Sequence, residues 1–364
     1  MLLDLLPVAM AAEVTEMPAP MAVDVDLDWR GQWGFGTLTE AGEVAAKSKT
    51  TRQELALTPE FSPIAGVAVR LSVPYTPSWS MGWTDARKMT FDPGTGTGTT
   101  VGGAPIDAAS VRGAGGNGIW LGAGLSPFNE SFSLGQQSTW RLDAAVRLGT
   151  PRSAWAEVDG KRGAGNGGAA WRLSAAFSTE RGPSTPWMAF VATGEGAVTV
   201  AGTAGDGSAT EMRVKPASSV EWAAGIEVAG AENREKHTAS RFTLDAAFGY
   251  SAWSDVPSGL FLPSVLDASR GLVVTRGETL YARGGLGLVL DVHANFGIRL
   301  GGGARYAMPF RVESPYQVEQ GPGSFDAYAY AGIEIRTKPH EPPQPASRRK
   351  KPLAEPVTPT PAPS

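Results

Sequence analysis

Arg241–Trp253 reads R-F-T-L-D-A-A-F-G-Y-S-A-W, and its alternation decides the fold. Phe242, Leu244, Ala246, Phe248 and Tyr250 share one face of an extended strand, and Arg241, Thr243, Asp245, Ala247, Gly249 and Ser251 share the other. Successive side chains of a strand point to opposite sides, so a period of two means one apolar and one polar surface. The run is long enough to cross a bilayer as a tilted strand, which takes roughly 9–11 residues, and it ends in aromatics.

Working outward, similar stretches recur. They are Val23–Phe35, Thr51–Thr58, Ala65–Tyr75, Ile119–Leu125, Ser138–Leu148, Ala169–Phe177, Trp187–Glu195, Val220–Ala229, Leu280–Leu290, Phe296–Tyr306 and Ala327–Arg336. With Arg241–Trp253 that makes about twelve strands, an even number, as single-chain bacterial barrels have. The connections fall into two classes that alternate. Those near 59–64, 127–137, 179–185, 231–239 and 291–293 are short, and those near 36–50, 77–117, 149–166, 196–217, 255–277 and 308–325 are longer. Short turns on one rim and long loops on the other are the mark of an antiparallel up-and-down barrel. Pro59-Glu60-Phe61-Ser62-Pro63 is expected to be a tight turn, and 77–117, rich in Gly, Thr and Asp, a long loop.

Composition narrows the class. The chain has 364 residues, of which only 19% are charged, with 46 glycines, 28 prolines and 11 tryptophans. No stretch has the roughly 18 consecutive apolar residues of a membrane helix. Few helix signals and many turn residues read as all-β. The absence of cysteine excludes a disulfide framework and thiol chemistry and fits an exported bacterial protein. A net charge of −4 argues against nucleic acid as a partner.

Alternation alone does not say which face is outside. A soluble barrel or sandwich would bury the apolar face. About twelve strands enclose an interior too wide for apolar side chains to fill, whereas about eight suffice for a packed core. Many apolar-face residues here are small: Ala144, Ala175, Ala246, Ala329 and Ala331. The fold class expected is therefore an all-β, antiparallel up-and-down transmembrane β-barrel over residues 23–337. Trp33, Phe35, Tyr75, Trp140, Trp171, Trp187, Trp222, Tyr250, Phe296 and Tyr306 are expected to form aromatic girdles at the two membrane interfaces.

The runs F-G-I-R-L-G-G-G-A-R-Y (Phe296–Tyr306) and A-Y-A-Y-A-G-I-E-I-R (Ala327–Arg336) make the chain resemble bacterial outer-membrane β-barrels, in particular channel- or transporter-like ones. The resemblance covers roughly Val23 to Thr337. It implies a place in the Gram-negative outer membrane, contact with its lipid, and passage of small solutes. One feature departs from the family. Such barrels often finish on a terminal aromatic, whereas the last strand here ends Ile335-Arg336-Thr337 and a tail follows, which implies an internal or degenerate assembly signal.

The opposite face carries the charges. Arg30, Arg70, Arg141, Arg147, Arg172, Arg241, Arg283, Arg299, Arg305 and Arg336 stand against Asp24, Asp26, Asp28, Asp143, Glu221, Glu227, Asp245 and Glu334. These residues are expected to line the lumen. They read either as a pore lining whose transverse field orients polar solutes or as a salt-bridged plug of a narrow barrel. The first gives a passive channel or transporter for small solutes. The second gives a non-conducting structural or assembly barrel of an envelope complex.

Other chemistry finds little support. The Asp24-x-Asp26-x-Asp28 spacing opens like a calcium loop, but Trp29 and Phe35 stand where that loop needs Gly and Glu. His237 and His293 fall in short turns and His340 in the tail, so no His-assisted nucleophile is set up. The Gly94–Gly103 stretch lacks the G-K-[ST] ending of a phosphate loop. Asn129-Glu130-Ser131 matches a glycosylation sequon that has little weight in a bacterial protein. No enzyme activity, metal or cofactor is expected.

The ends differ from the barrel. Residues 1–22 read as a signal-peptide remnant and linker, with Ala9-Met10-Ala11 as the cleavage motif, although Asp4 interrupts the apolar core and no basic region precedes it. Residues 338–364 read as a disordered, proline-rich tail in the periplasm. Extended as polyproline II it would reach on the order of 80 Å. Its block Arg348-Arg349-Lys350-Lys351 suits the cell wall or an acidic periplasmic protein better than nucleic acid.

Overall fold

The computed structural model describes Thr15 and residues 17–337. Not described within that span are 41–42, 87–88, 93–96, 101–105, 129–137, 150–152, 155–156, 159–160, 182, 204–208, 234–237, 258–272, 314–317 and 321–322. The tail 338–364 and residues 1–14 therefore lie outside the described residues, as do His237, His340, Asn129 and both ends of Gly94–Gly103.

The wall is a closed, antiparallel, 12-stranded barrel. Its strands are β1 (Ala22–Glu40), β2 (Glu43–Ile64), β3 (Val67–Ala86), β4 (Trp120–Leu125), β5 (Ser138–Arg147) and β6 (Ala170–Thr179). They continue as β7 (Ser184–Glu195), β8 (Ser219–Asn233), β9 (Thr238–Ser251), β10 (Thr279–His293), β11 (Phe296–Ala307) and β12 (Ser324–Arg336). Each pairs with the next in sequence. β12 then pairs with β1, from Asp24↔Arg336 to Gly36↔Ser324. Closure leaves no strand edge unpaired, which is what lets a sheet stand in hydrocarbon.

The alternation read from the sequence now has a direction. Leu27, Leu57, Leu71, Leu142, Leu173, Phe190, Leu244, Phe248, Leu286 and Leu300 are all exposed on the outside of the barrel. In water such a continuous apolar band would be unstable; in lipid it is the solvated surface. Aromatics flank it, among them Trp33, Phe35, Tyr75, Trp171 and Tyr306. Toward the short-turn rim, Trp140 stacks edge-on against Phe177 at 5.3 Å and Phe128 at 6.4 Å. Tyr250 shares the face of Phe248, and Phe296 that of Leu300.

Three expectations are corrected. Residues 36–50 are mostly wall, because β1 and β2 stay paired, through a register shift between Leu38 and Thr39, to Glu40↔Glu43. Polar residues on both faces hid this: beyond the lipid a strand has no apolar side. The Pro59–Pro63 stretch is also strand, with Val25↔Pro59 and Val23↔Phe61. The turn falls instead at Ala65-Gly66, where Gly66 has φ 76°, a left-handed conformation that glycine adopts without a Cβ penalty. Pro59 fits because the β2–β3 ladder passes from Leu57↔Val73 to Glu60↔Arg70 without pairing it. Finally, 77–117 is not one loop. β3 continues to Ala86, and Ile106–Gly116 pairs back along it.

Trp187 is the fourth correction. It is 3% exposed and points inward, not to a membrane interface. β7 carries Trp187-Met188-Ala189-Phe190-Val191, apolar on both faces, so alternation alone leaves its sense open. Met188 and Phe190 take the lipid side. Trp187 packs inside among Ala176, Ala189, Ala223 and Ala247. It lies over Gly225, where any Cβ would come within 2.7 Å of its ring.

On the long-loop rim, short hairpins continue the wall. Val198–Thr203 pairs with Ala209–Val214, Ser254–Pro257 with Val273–Arg276, and Arg311–Glu313 with Val318–Gln320. Thr275↔Glu313 joins the second of these to the third, and Thr39↔Gln320 joins the third to β1. Lys215 sits 3.8 Å from the Trp253 ring, and Arg276 lies 4.5 Å from that of Phe310.

Candidate functional site

The lumen is the site. Every inward position alternates with a lipid-facing one, so the strands that expose leucine outside present charge inside. The two halves of the barrel use that charge differently.

On the β8–β12 side ion pairs cross the interior. Arg283 donates to Glu221 at 2.8 Å and to Asp245 at 2.5 Å. Arg241 bridges Glu227 at 3.5 Å and Asp291 at 3.6 Å. Arg336 takes Asp291 and Glu334 at 3.0 and 2.6 Å, and Arg305 lies 4.0 Å from Asp326. Arg305 also stacks 4.0 Å from the Tyr281 ring. Tyr328 and Tyr330 cross the glycine-rich β10–β11 pair and donate to the carbonyls of Gly284 and Leu286 at 3.1 and 3.4 Å.

Bounded mainly by β1–β7 and closed by β11 and β12 is a cavity of about 350 Å³. Asp24, Asp26, Asp28, Arg30, Arg70, Arg141, Asp143, Arg147, Arg172, Arg299, Glu334 and Arg336 line it. Arg299 holds Asp26 and Asp28 at 2.8 and 3.1 Å. Arg141, only 2% exposed, joins Glu60 at 2.7 Å and Asp143 at 2.9 Å. Arg147 pairs with Glu195 at 2.5 Å and, with Arg172, stacks on the Trp120 ring at 5.4 and 4.5 Å. The structure thus brings twelve of the charged residues singled out above to one cavity. It sets Glu221, Glu227, Arg241, Asp245, Arg283 and Arg305 among the ion pairs of the other half.

Several lining residues escaped the sequence reading. Arg52, Glu54 and Glu60 share the parity of the polar face of β2, but the misplaced turn hid Glu60. Arg52 donates to Glu54 at 3.0 Å, and Asn117 reaches the same carboxylate at 2.7 Å. Glu195 sat at the end of an expected strand and Asp291 in an expected short turn. Trp120 has an inward parity that its aromatic character disguised.

Both mouths are narrowed by the chain itself. After β5, Ala164, Gly165 and Asn166 turn in at the long-loop mouth and line the cavity. Trp79 Nε1 donates to Gly163 O at 2.8 Å, and Arg162 bridges Gly113. Among the described residues, then, this segment folds inward, while Ile106–Gly116 stays in the wall. At the short-turn mouth, Met17 and Pro18 line the cavity. Thr15, 7% exposed, shares a 2.8 Å hydrogen bond with Ser178 at the end of β6.

Among the described residues no cluster of His, Asp and Glu is arranged to hold a metal ion. His293, the one described histidine, lies exposed at the β10–β11 turn.

A closed 12-stranded ring with a lipid-soluble exterior, flanking aromatics and a charged interior is a transmembrane β-barrel of the bacterial outer-membrane type, and the outer membrane is its location. No protein-family model matches the chain, and no curated protein does. Solved structures that resemble it are barrels of this kind. An outer-membrane channel from Pseudomonas putida F1 aligns at TM-score 0.48 and 9% identity, over 89% of this chain and 99% of that one. A FadL homologue from Pseudomonas aeruginosa aligns at 0.40 and 9%, over 88% and 90%. The outer-membrane protease OmpT from Escherichia coli aligns at 0.31 and 10%, over 88% and 99%. At these scores the likeness assigns no function, which has to come from the barrel's own surfaces.

Proposed function

We propose that the barrel is a passive conduit for small polar solutes across the outer membrane. The observation that carries this reading is the 350 Å³ cavity, lined by charges of both signs, within an otherwise tightly ion-paired interior. A purely structural barrel has no need of such a space. The inward segment at one mouth and Met17–Pro18 at the other would restrict passage to small molecules. The charged lining acts as a selector rather than as catalytic machinery, since most of its carboxylates are held by arginines.

Purified protein in planar bilayers should give stepwise conductance. A silent membrane into which folded barrel has inserted would instead favour the second reading, a non-conducting structural barrel, for which the ion pairs across the β8–β12 half speak. The tail 338–364 is proposed as a periplasmic tether. Its removal should leave a folded barrel and lower co-purification with cell-wall material, and loss of folding would end that reading.

A further inference from the structure

Interior arginines in this barrel are held by carboxylates: Arg52 by Glu54, Arg70 by Glu60, Arg147 by Glu195, Arg299 by Asp28. Arg30 and Arg172 are exceptions. Both line the cavity, and among the described residues neither has a carboxylate partner. Arg30 rises from β1 and Arg172 from β6, five places apart in a ring of twelve strands, so they face each other from nearly opposite walls. Both are cations turned toward one cavity, so their charges repel across it.

The surroundings of Arg172 have the same incompleteness. Its guanidinium lies 4.5 Å from the Trp120 ring, and its Nε is buried without a hydrogen-bond partner. Thr193 pairs with it across β6–β7. Thr193 is 8% exposed, lines the same cavity, and its Oγ1 also has no partner. On the β5 side Arg172 adjoins Ala145 and then Gly122, which leave space rather than fill it. Buried donors without acceptors are costly and rare. Two facing guanidiniums with a free hydroxyl beside them call for an anion.

We infer that Arg30, Arg172 and Thr193 form a binding site for a small oxyanion, a carboxylate or phosphate group, in the lumen. The planar fork of arginine matches the paired oxygens of such groups, and the Thr193 hydroxyl supplies a further donor. An anion there relieves the repulsion between the two walls. Its role in transport rests on the conduit reading; as a binding site it stands on the geometry alone. The site gives the mixed-charge lumen a sign, because solutes carrying an oxyanion gain a resting place that cations lack.

The test uses the full chain in planar bilayers under a tenfold KCl gradient, with inorganic phosphate as probe and acetate as the carboxylate arm. The reversal potential should show anion preference, and phosphate should block chloride current saturably. Arg172→Gln and Arg30→Gln should each raise the half-blocking concentration about tenfold, the change expected from losing one charge-assisted hydrogen bond. Arg172→Lys, which keeps the charge but not the fork, should fall between. Arg112→Gln, which removes a charge exposed outside the cavity, should change neither. Conductance without phosphate block, or block unchanged in both glutamine variants, overturns the site and leaves the conduit standing. If there is no conductance, the conduit reading fails, and phosphate titration calorimetry in detergent decides the site. Heat lost in Arg30→Gln supports it, and no heat with wild type overturns it.

Discussion

Glu60 holds two arginines from different strands. Its Oε2 accepts from Arg70 on β3 at 2.5 Å, and its Oε1 accepts from Arg141 on β5 at 2.7 Å. The second bond ties walls that are 81 residues apart in sequence. Glu60→Gln would leave Arg70 without its carboxylate and Arg141 with Asp143 alone. Breaking a buried pair from one side is strongly destabilising. Because Asp143 remains, the expected loss is about 3 kcal/mol, at the low end of that range. Urea unfolding of the barrel in lipid vesicles measures it, and an unchanged midpoint and slope would contradict the role given to Glu60.

The lipid face can be tested on β9. Leu244 is 55% exposed on the outside, while Asp245 beside it is held by Arg283 inside. An arginine on the lipid face costs about 2–4 kcal/mol near the midplane. Leu244→Arg should therefore lower the yield of folded barrel, scored by the change in gel migration on boiling. Thr243→Arg, on the inner face, should assemble better than Leu244→Arg. The reverse order would mean that the faces are exchanged.

Trp187 fills lumen space that small residues leave around it. Trp187→Ala should enlarge the passage without exposing any new apolar surface to lipid. Its loss of packing should cost up to about 3 kcal/mol, the lower end for such a truncation in a dry core, because water can enter here. Single-channel conductance should rise relative to wild type. A fall would argue that Trp187 supports the open wall rather than occupying it.

The rims can be assigned with single cysteines, since the chain has none of its own. Glu211, in a long-loop hairpin, and His293, in a short turn, are both exposed. Short turns of such barrels face the periplasm. A membrane-impermeant maleimide added to intact cells should label Glu211→Cys and spare His293→Cys. Labelling of residue 293 alone would invert the barrel.

Much of the wall is visible without coordinates, because lipid enforces a strict period. Phe242 and Leu244 must alternate with Thr243 and Asp245 if the strand is to face hydrocarbon on one side only. Where lipid ends, the constraint ends too. Residues 36–50 have no apolar side to betray a strand, and Pro59 and Pro63 imitate a turn inside β2. Trp187 defeats the rule from the other direction: its neighbours are apolar on both faces, and only the alanines and Gly225 of adjoining strands decide that it turns in.

By itself, then, the sequence determined a set of about twelve alternating strands, an even number that suits closure, and a charged face opposite an apolar one, since these are local properties of each strand. Which charges meet was decided only by the tertiary structure. Glu60 finds Arg141, Trp79 holds Gly163, and Arg30 faces Arg172 because the ring closes β12 onto β1 and sets distant strands across one lumen. Pairing across a barrel depends on strand number, register and tilt together, and no single segment of the chain encodes those.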